Sequence, residues 1–158
     1  MELIKLSNKQ SKKVESYSQI IKQAEELTEF FDKTNGNFKG EHQSAFALAH
    51  CQVSDDPYAF FVVTKEIVDD YHLLPSRLII NAEVYDGKDE KRMIEGCMSF
   101  PFRKAKKVNR FSIISARFDV VDEKGRLEHV EVKEMKEPLS QIFQHEVDHL
   151  NGKNIYFD

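Results

Sequence analysis

Apolar residues near the amino end of the chain recur every three or four positions, which is the spacing of one face of an α-helix. The residues of this stripe are Val14, Tyr17, Ile21, Ala24, Leu27 and Phe31. Ser7 and Gln10 have the spacing of a capping box at a helix start, and Asn35-Gly36 is a typical helix end. The pattern therefore predicts a first helix between these signals. Its apolar face is expected to pack within its own domain, with a partner helix as the alternative.

From Ser44 onward the spacing changes, because β-branched and aromatic residues gather in short runs separated by turn-forming groups. Five strands are predicted: Ala45–Val53, Ala59–Thr64, Arg77–Tyr85, Arg110–Val121 and Leu127–Met135. Turn signals between them are Asp55-Asp56-Pro57, Asp86-Gly87 and Glu123-Lys124-Gly125. This part of the chain is expected to form a sheet.

A second helical pattern follows the strands. Pro138 suits the first turn of a helix, and Asn151-Gly152 suits its end. The apolar side consists of Leu139, Ile142, Phe143, Val147 and Leu150. Helix, strands and helix in this order predict an α+β fold, with helices packed on an antiparallel or mixed β-sheet. We find no linker, repeat or low-complexity segment, so a single domain is expected over residues 1–158.

Composition narrows the class of protein. The chain has 158 residues, of which 41% are hydrophobic and 32% charged, a mixture typical of a folded domain rather than a disordered chain. The formal net charge of −4 argues against general nucleic-acid binding. Two cysteines are too few for a disulfide framework, and no apolar run approaches the roughly 20 residues that span a membrane. We therefore expect a cytoplasmic protein.

The strongest chemical signal is the run His145-Glu146-Val147-Asp148-His149 in the second helical pattern. Four residues are slightly more than one helical turn, so His145 and His149 project from one face and can share a metal ion. Glu146 lies beside them and can take a proton from a water molecule on that ion. A helical wheel puts these three residues on the apolar side of a central, carboxyl-terminal helix. It predicts that Gln144 and Asp148 face away.

A buried face with two histidines and a carboxylate needs a partner, because buried polar groups without partners are costly. A metal ion supplies one, and two hydrogen-bonded core histidines are the alternative. Catalytic sites of this kind usually have three protein ligands and one open position. One class of zinc protease has a third histidine where this chain has Ile155, so the third ligand must lie upstream. The candidates are His42, His50, Cys51, His72, Cys97 and His129, with several carboxylates.

Cys97 is favoured among these candidates by its setting, Glu95-Gly96-Cys97-Met98-Ser99. Gly96 lets backbone approach closely, and a thiolate suits a borderline-soft divalent ion. A small buried hydrophobe is the alternative role for a free cysteine. From the residues alone, both roles of Cys97 stay open.

Two motifs of this chain resemble those of the peptide deformylase family and occur in the same order. The family motifs are EGCLS or EGCMS, followed by QHExDHL. In this chain they are residues 95–99 and residues 144–150, and the resemblance covers residues 43–158, with a weaker match in the first helix. The family's other motif, GxGxAAxQ, corresponds to residues 45–52. Gln52 is kept there, but Ala45, Ala47 and His50 replace two glycines and an alanine. Glycine allows closer backbone approach than alanine, so this departure bears on substrate binding.

The resemblance implies a metal-dependent hydrolase that removes the formyl group from N-formylmethionyl peptides. It implies that Cys97, His145 and His149 hold one divalent ion, typically iron(II), with zinc, nickel or cobalt able to occupy the site. Glu146 would accept a proton from water on that ion and later deliver it to the leaving amine.

The resemblance also assigns the groups that contact substrate. The Gln52 side chain and the Met98 backbone N–H would donate hydrogen bonds to the tetrahedral oxyanion. The peptide would lie as an added strand along Phe46, Ala47 and Gly96. The pocket for the methionine side chain would be bordered by Glu95, Ile142 and His145.

Five cations fall within eight residues of the chain: Arg103, Lys104, Lys106, Lys107 and Arg110. A solvated loop is the ordinary role of such a cluster. Contact with ribosomal RNA is the sharper hypothesis, since a deformylase meets its substrate on nascent chains.

Three hypotheses of function follow. The chain is an active deformylase, a deformylase-like paralogue weakened by its altered first motif, or a metal-stabilised module that binds peptides without catalysis. A small zinc protease fits less well, given Ile155 and the missing downstream ligand. His50 and Cys51 are expected to have ordinary packing or surface roles. The alternative for the second thiol is a redox liability near iron or an alternative metal ligand.

Overall fold

The strands of the described residues form one antiparallel sheet in chain order, β1-β2-β3-β4-β5. The computed structural model describes residues 1–6, 8–37, 46–97, 99 and 104–156. The strands are β1 (Ala47–Ala49), β2 (Phe60–Val63), β3 (Leu78–Glu95), β4 (Lys106–Val121) and β5 (Leu127–Lys136). The helices are α1 (Ile21–Asn37), α2 (Lys65–Tyr71) and α3 (Leu139–Leu150), with 3₁₀ turns at Tyr17–Gln19 and His50–Gln52. The α+β prediction is confirmed, and every strand pair in this sheet is antiparallel.

The first helix begins later than the sequence predicts. Ser7 lies outside the described residues, and α1 starts only at Ile21, after the 3₁₀ turn. The side chain of Gln19 accepts a hydrogen bond from the backbone N–H of Ser16 at 3.3 Å, so the capping interaction lies near residue 16. Val14 precedes the helix, and its backbone is held by the side chain of Asn81. The apolar face of α1 packs against the sheet as expected, in a cluster that includes Leu27, Phe31, Leu48, Phe60 and Ile80.

The first predicted strand is largely a turn. Residues 45–53 were expected to be extended, but β1 covers three residues and the chain then turns at His50–Gln52. The side-chain oxygen of Gln52 accepts a hydrogen bond from the backbone N–H of Ala49 at 2.9 Å. This contact fixes the turn and brings Gln52 inward, where it is 1% exposed.

The predicted turn at Asp86-Gly87 is wrong, because β3 continues through it to Glu95. Gly87 pairs with Ile114 of β4, and shifts in register on either side of Val84 absorb the irregularity. The ring of Phe111 lies where a side chain at Gly87 would be, since a Cβ there would come within 2.4 Å of it. The sequence analysis also missed α2, a helix of only seven residues.

The position of α3 on the sheet is the feature that builds the site. Phe143 of α3 contacts Phe61 and Phe118, with ring centroids 5.6 and 5.7 Å apart. At the other end of the helix, the backbone N–H of Ser11 donates to the carbonyl of Leu150 at 2.9 Å. The predicted helix, with Pro138 in its first turn and Asn151-Gly152 at its end, is confirmed, since α3 covers Leu139–Leu150. None of the helices in the described ranges has the length and apolar character needed to cross a bilayer.

Candidate metal centre

Three potential metal ligands converge where the end of β3 meets α3. The Sγ atom of Cys97 lies 3.5 Å from Nε2 of His149, and that nitrogen lies 3.1 Å from Nε2 of His145. Ligand atoms of all three residues lie within 4.8 Å of one another. A tetrahedral ion with bonds of about 2.0–2.3 Å to these donors would hold them about 3.3–3.6 Å apart, close to the 3.5 and 3.1 Å separations of these two pairs. One thiolate and two imidazoles also suit a borderline-soft divalent ion.

The helix and the strand end each contribute for a simple reason. His145 and His149 are four residues apart on α3 and therefore lie on one face. Cys97 lies two residues after the end of β3 and is 4% exposed, which places its thiol inside the protein beside the helix. The structure thus brings together the three ligands that the family resemblance implies.

The other candidate ligands have different surroundings. Cys51 donates a hydrogen bond to the carbonyl of His149 at 3.5 Å and lies outside the three-ligand group. His50 accepts a hydrogen bond from Tyr58, His129 pairs with Asp119, and the exposed His72 ends α2. His42 lies outside the described residues.

A buried network of charged side chains contacts the Nδ1 side of the His145 ring. Nδ1 of His145 lies 2.8 Å from a carboxylate oxygen of Glu95. The guanidinium of Arg110 binds both oxygens of Glu95, at 2.8 and 2.9 Å, and reaches Asp148 at 2.7 Å. Burial alone would raise the pKa of Glu95, but the hydrogen bonds from His145 and Arg110 lower it to about 2. Glu95 is therefore a carboxylate that fixes the ring of His145, the arrangement that metal-bound histidines usually have.

This network corrects two expectations. Arg110 is 9% exposed and bound to two carboxylates, so it is not part of an exposed basic surface. Asp148 and Gln144 do not both face away from the protein. Gln144 is buried, and its amide exchanges hydrogen bonds with the backbone of Phe111 in β4. A wheel for an isolated helix misses this, because the long strand β4 packs beside α3 and covers part of its polar side.

From the sequence, Arg110 is predicted only as one of five cations in a basic cluster. A signal was present, since residues 110, 112, 114, 116 and 118 are alternately placed along β4 and all are buried. An arginine at the head of such an inward-facing row needs an acidic partner inside the protein. Arg103 lies outside the described residues, and Lys104, Lys106 and Lys107 are exposed.

Glu146 is a buried carboxyl group with an unused oxygen. It is 3% exposed, and Oε1 has no hydrogen-bond partner among the described residues. Its other oxygen lies 3.9 Å from Nε2 of His145. Burial raises the pKa of Glu146 to about 7, against the opposing effect of His145. The group is therefore placed beside the ligand atoms and suited to proton transfer near neutral pH.

Gln52 is the second polar side chain directed at the ligands. Its Nε2 atom donates to Ser99 Oγ at 2.9 Å and lies 3.8 Å from Cys97 Sγ. Met98, whose backbone N–H is the other expected donor, lies outside the described residues.

The altered residue His50 is accommodated by packing. Its ring stacks on Phe60 with centroids 4.6 Å apart, and Nδ1 accepts a hydrogen bond from the backbone of Tyr58 at 3.0 Å. Burial lowers the pKa of His50 to about 4. Burial, followed by the nearby carboxylate of Glu146, raises the pKa of Cys51 to about 12. Both residues have packing roles, and Gln52 keeps its inward position beside them.

The expected substrate residues lie on or directly beside three elements, namely β1, the end of β3 and α3. Among the described residues, β1 pairs with β2 alone; the exposed Phe46 directly precedes this strand, and the buried Ala47 begins it. Gly96 and Ile142 are half-buried. The carboxylate of Glu95 is fully engaged by Arg110 and His145, so its contact with a substrate would come from the backbone. Ala45 lies outside the described residues.

Comparison with known proteins matches the chain to one family over nearly its whole length. The sequence model of the polypeptide deformylase family matches residues 4–158. A peptide deformylase of Endomicrobium trichonymphae is 27% identical over 146 residues, which cover 92% of this chain and 75% of that protein. A peptide deformylase of Chlorobium luteolum is 31% identical over 112 residues, 71% of this chain and 55% of that protein.

Solved structures show the same fold. The peptide deformylase of Thermotoga maritima superposes with a TM-score of 0.69 at 23% identity, covering 99% of this chain and 97% of that one. A peptide deformylase of Synechococcus elongatus, solved in complex with actinonin, gives a TM-score of 0.71 at 22% identity, covering 96% and 74%.

Proposed function

The chain belongs to the polypeptide deformylase family, and from this premise we propose that it hydrolyses the formyl group from N-formylmethionyl peptides with the help of one divalent metal ion. The observation that carries the proposal is the convergence of Cys97, His145 and His149 beside the unpartnered oxygen of Glu146. That arrangement combines a ligand set for an ion with a proton acceptor in one buried position.

The protein's own groups have separable roles in this reaction. Cys97, His145 and His149 would hold the ion, which when bound supplies a Lewis acid that polarises a carbonyl and makes water more acidic. Glu95 orients His145 through Nδ1. Glu146 accepts the proton of the attacking water and returns it to the amine that leaves, so the peptide departs with a free amino group.

Substrate binding is proposed to use the edge of β1 that faces away from β2. The formyl-methionyl backbone would extend along Phe46, Ala47 and Gly96 as an added strand, with the methionine side chain against Ile142. The Gln52 amide and the Met98 N–H would stabilise the negative charge that develops on the formyl oxygen. We propose iron(II) as the working ion, with zinc, nickel and cobalt as alternatives, since a thiolate and two imidazoles accept each of them.

An assay of formyl-Met-Ala-Ser hydrolysis, on protein prepared anaerobically with iron, tests this function. We expect turnover in the wild type and its loss in Glu146→Ala, because no other described carboxylate with a free oxygen adjoins the ligands. Metal analysis of both proteins is the control, since Glu146→Ala leaves the three ligands in place. Bound metal without turnover in the wild type would contradict the proposal. Activity gained by Ala47→Gly with Ala45→Gly would then identify a paralogue weakened at its first motif.

A substrate carried on nascent chains also suggests where the protein acts. We propose a cytoplasmic enzyme that approaches ribosomal RNA through the exposed Lys104, Lys106 and Lys107. Reversing two charges, Lys106→Glu with Lys107→Glu, should weaken co-sedimentation with ribosomes and make it less dependent on salt. Lys133→Glu with Lys136→Glu on the exposed face of β5 is the matched control. Equal co-sedimentation of both double variants with ribosomes would contradict the proposal that these lysines contact ribosomal RNA.

A further inference from the structure

The side-chain amide of Gln52 is held at both of its polar atoms. The oxygen accepts the backbone N–H of Ala49 at 2.9 Å, which can only donate, so the two ends of the amide cannot be exchanged. The nitrogen therefore faces the other way, with one N–H on Ser99 Oγ at 2.9 Å. It also lies 3.8 Å from Cys97 Sγ. The remaining N–H is thus directed at the sulfur of Cys97, one of the candidate metal ligands.

Ser99 supplies the second of these anchors. The terminal torsion of a glutamine is broad and is not fixed by its rotamer preferences, so a single contact at the oxygen leaves the amide plane free to turn. The hydroxyl of Ser99 removes that freedom. Ser99 follows Cys97 by two residues, so this hydroxyl and the thiol are close neighbours in the sequence.

We propose that Ser99 is a positioning residue that fixes the Gln52 amide as a hydrogen-bond donor toward the reacting carbonyl, an inference that rests on the proposed deformylase function. Donors that stabilise an oxyanion are effective because they are already oriented and need no reorganisation during the reaction. Ser99 acts on the reaction only through Gln52.

Steady-state kinetics of Ser99→Ala provide the first test. We expect kcat to fall about tenfold, less than the roughly 10²- to 10³-fold cost of removing the donor itself with Gln52→Ala. KM and bound metal should stay close to the wild-type values, and Ser99→Thr should restore kcat. Ser140→Ala is the matched control, because Ser140 also makes a hydrogen bond of 2.9 Å through a hydroxyl, but away from the ligands. An unchanged kcat in Ser99→Ala would overturn the proposal.

A double-mutant cycle separates positioning from direct contact with substrate. If Ser99 acts only through Gln52, then Ser99→Ala has no further effect on kcat in a Gln52→Ala background. Effects that multiply in the double variant would show that Ser99 contacts the substrate itself, and would overturn the inference.

A spectroscopic measurement separates failure of this inference from failure of the proposed function. In a ¹H–¹⁵N spectrum of the zinc-loaded protein, the side-chain NH₂ pair of Gln52 can be assigned by its absence in Gln52→Ala. The Ser99→Ala variant should shift this pair and speed its exchange with solvent, whereas Ser140→Ala should leave it unchanged. A wild type without deformylase activity would overturn the function and, with it, the positioning role of Ser99 in that reaction. An unperturbed Gln52 pair in an active Ser99→Ala protein would overturn only the positioning.

Discussion

A single arginine connects the two acidic side chains that lie behind the candidate metal ligands. Arg110 binds Glu95 through two nitrogens and Asp148 through a third, and its side chain is 10% exposed. The planar guanidinium can make these three contacts at once, which one ammonium group of a lysine cannot do with the same geometry. Through Glu95 this arrangement determines the orientation of His145.

Replacing Arg110 should therefore lower the free energy of unfolding far more than replacing an exposed arginine of the same strand. We expect Arg110→Met to lower the free energy of unfolding by about 3–5 kcal/mol, because the buried carboxylate of Glu95 loses both hydrogen bonds from the guanidinium and keeps only its contact with His145 among the described side chains. Urea unfolding monitored by circular dichroism measures this change.

The matched control is Arg117→Met, whose partner Glu83 is 59% exposed. Loss of an exposed pair of this kind should cost about 0–1 kcal/mol. Similar losses in the two variants would show that the buried network around Arg110 does not stabilise the fold. The double variant Arg110→Met with Glu95→Gln should recover part of the lost stability, since it removes the unpaired charge.

At the scale of elements, the sequence predicts best where local pattern and tertiary contacts agree. α3 has a continuous apolar stripe, a proline at its start and Gly152 in a left-handed conformation after its end. The i,i+4 placement of His145 and His149 follows from the helix alone, so these two ligands could be found without a structure. Cys97 needed the family motif, because a free cysteine has a common packing role as well.

Elements whose local signals compete with tertiary contacts could not be placed in this way. The apolar stripe near the amino end continues into an extended segment, since Val14 is bound by Asn81 of β3 rather than by a helical turn. Asp86-Gly87 is a strong turn signal, but pairing with β4 and the ring of Phe111 override it. The Glu95–Arg110 contact depends on how β3, β4 and α3 are arranged, which no local spacing encodes.

At the scale of the whole molecule, the ligands connect parts of the chain that are far apart in sequence. Cys97 lies at the end of β3, 52 residues before His149 in α3. α3 is held to the sheet by Phe143 and to the amino-terminal segment by Ser11. An ion that binds all three ligands in the folded state, and not in the unfolded chain, must stabilise the entire arrangement.

Removal of the ion should accordingly lower the thermal stability of the protein. An ion present at about 100 times its dissociation constant adds about 2.7 kcal/mol, which corresponds to a fall in Tm of about 5–10 °C on chelation for a chain of this size. Calorimetry with and without chelator measures this difference. Cys97→Ser should largely abolish the response, whereas Cys51→Ser should keep it, because the thiol of Cys51 donates to the carbonyl of His149 and lies outside the ligand group. A response lost in Cys51→Ser and kept in Cys97→Ser would replace the thiolate in this ligand set with the other cysteine.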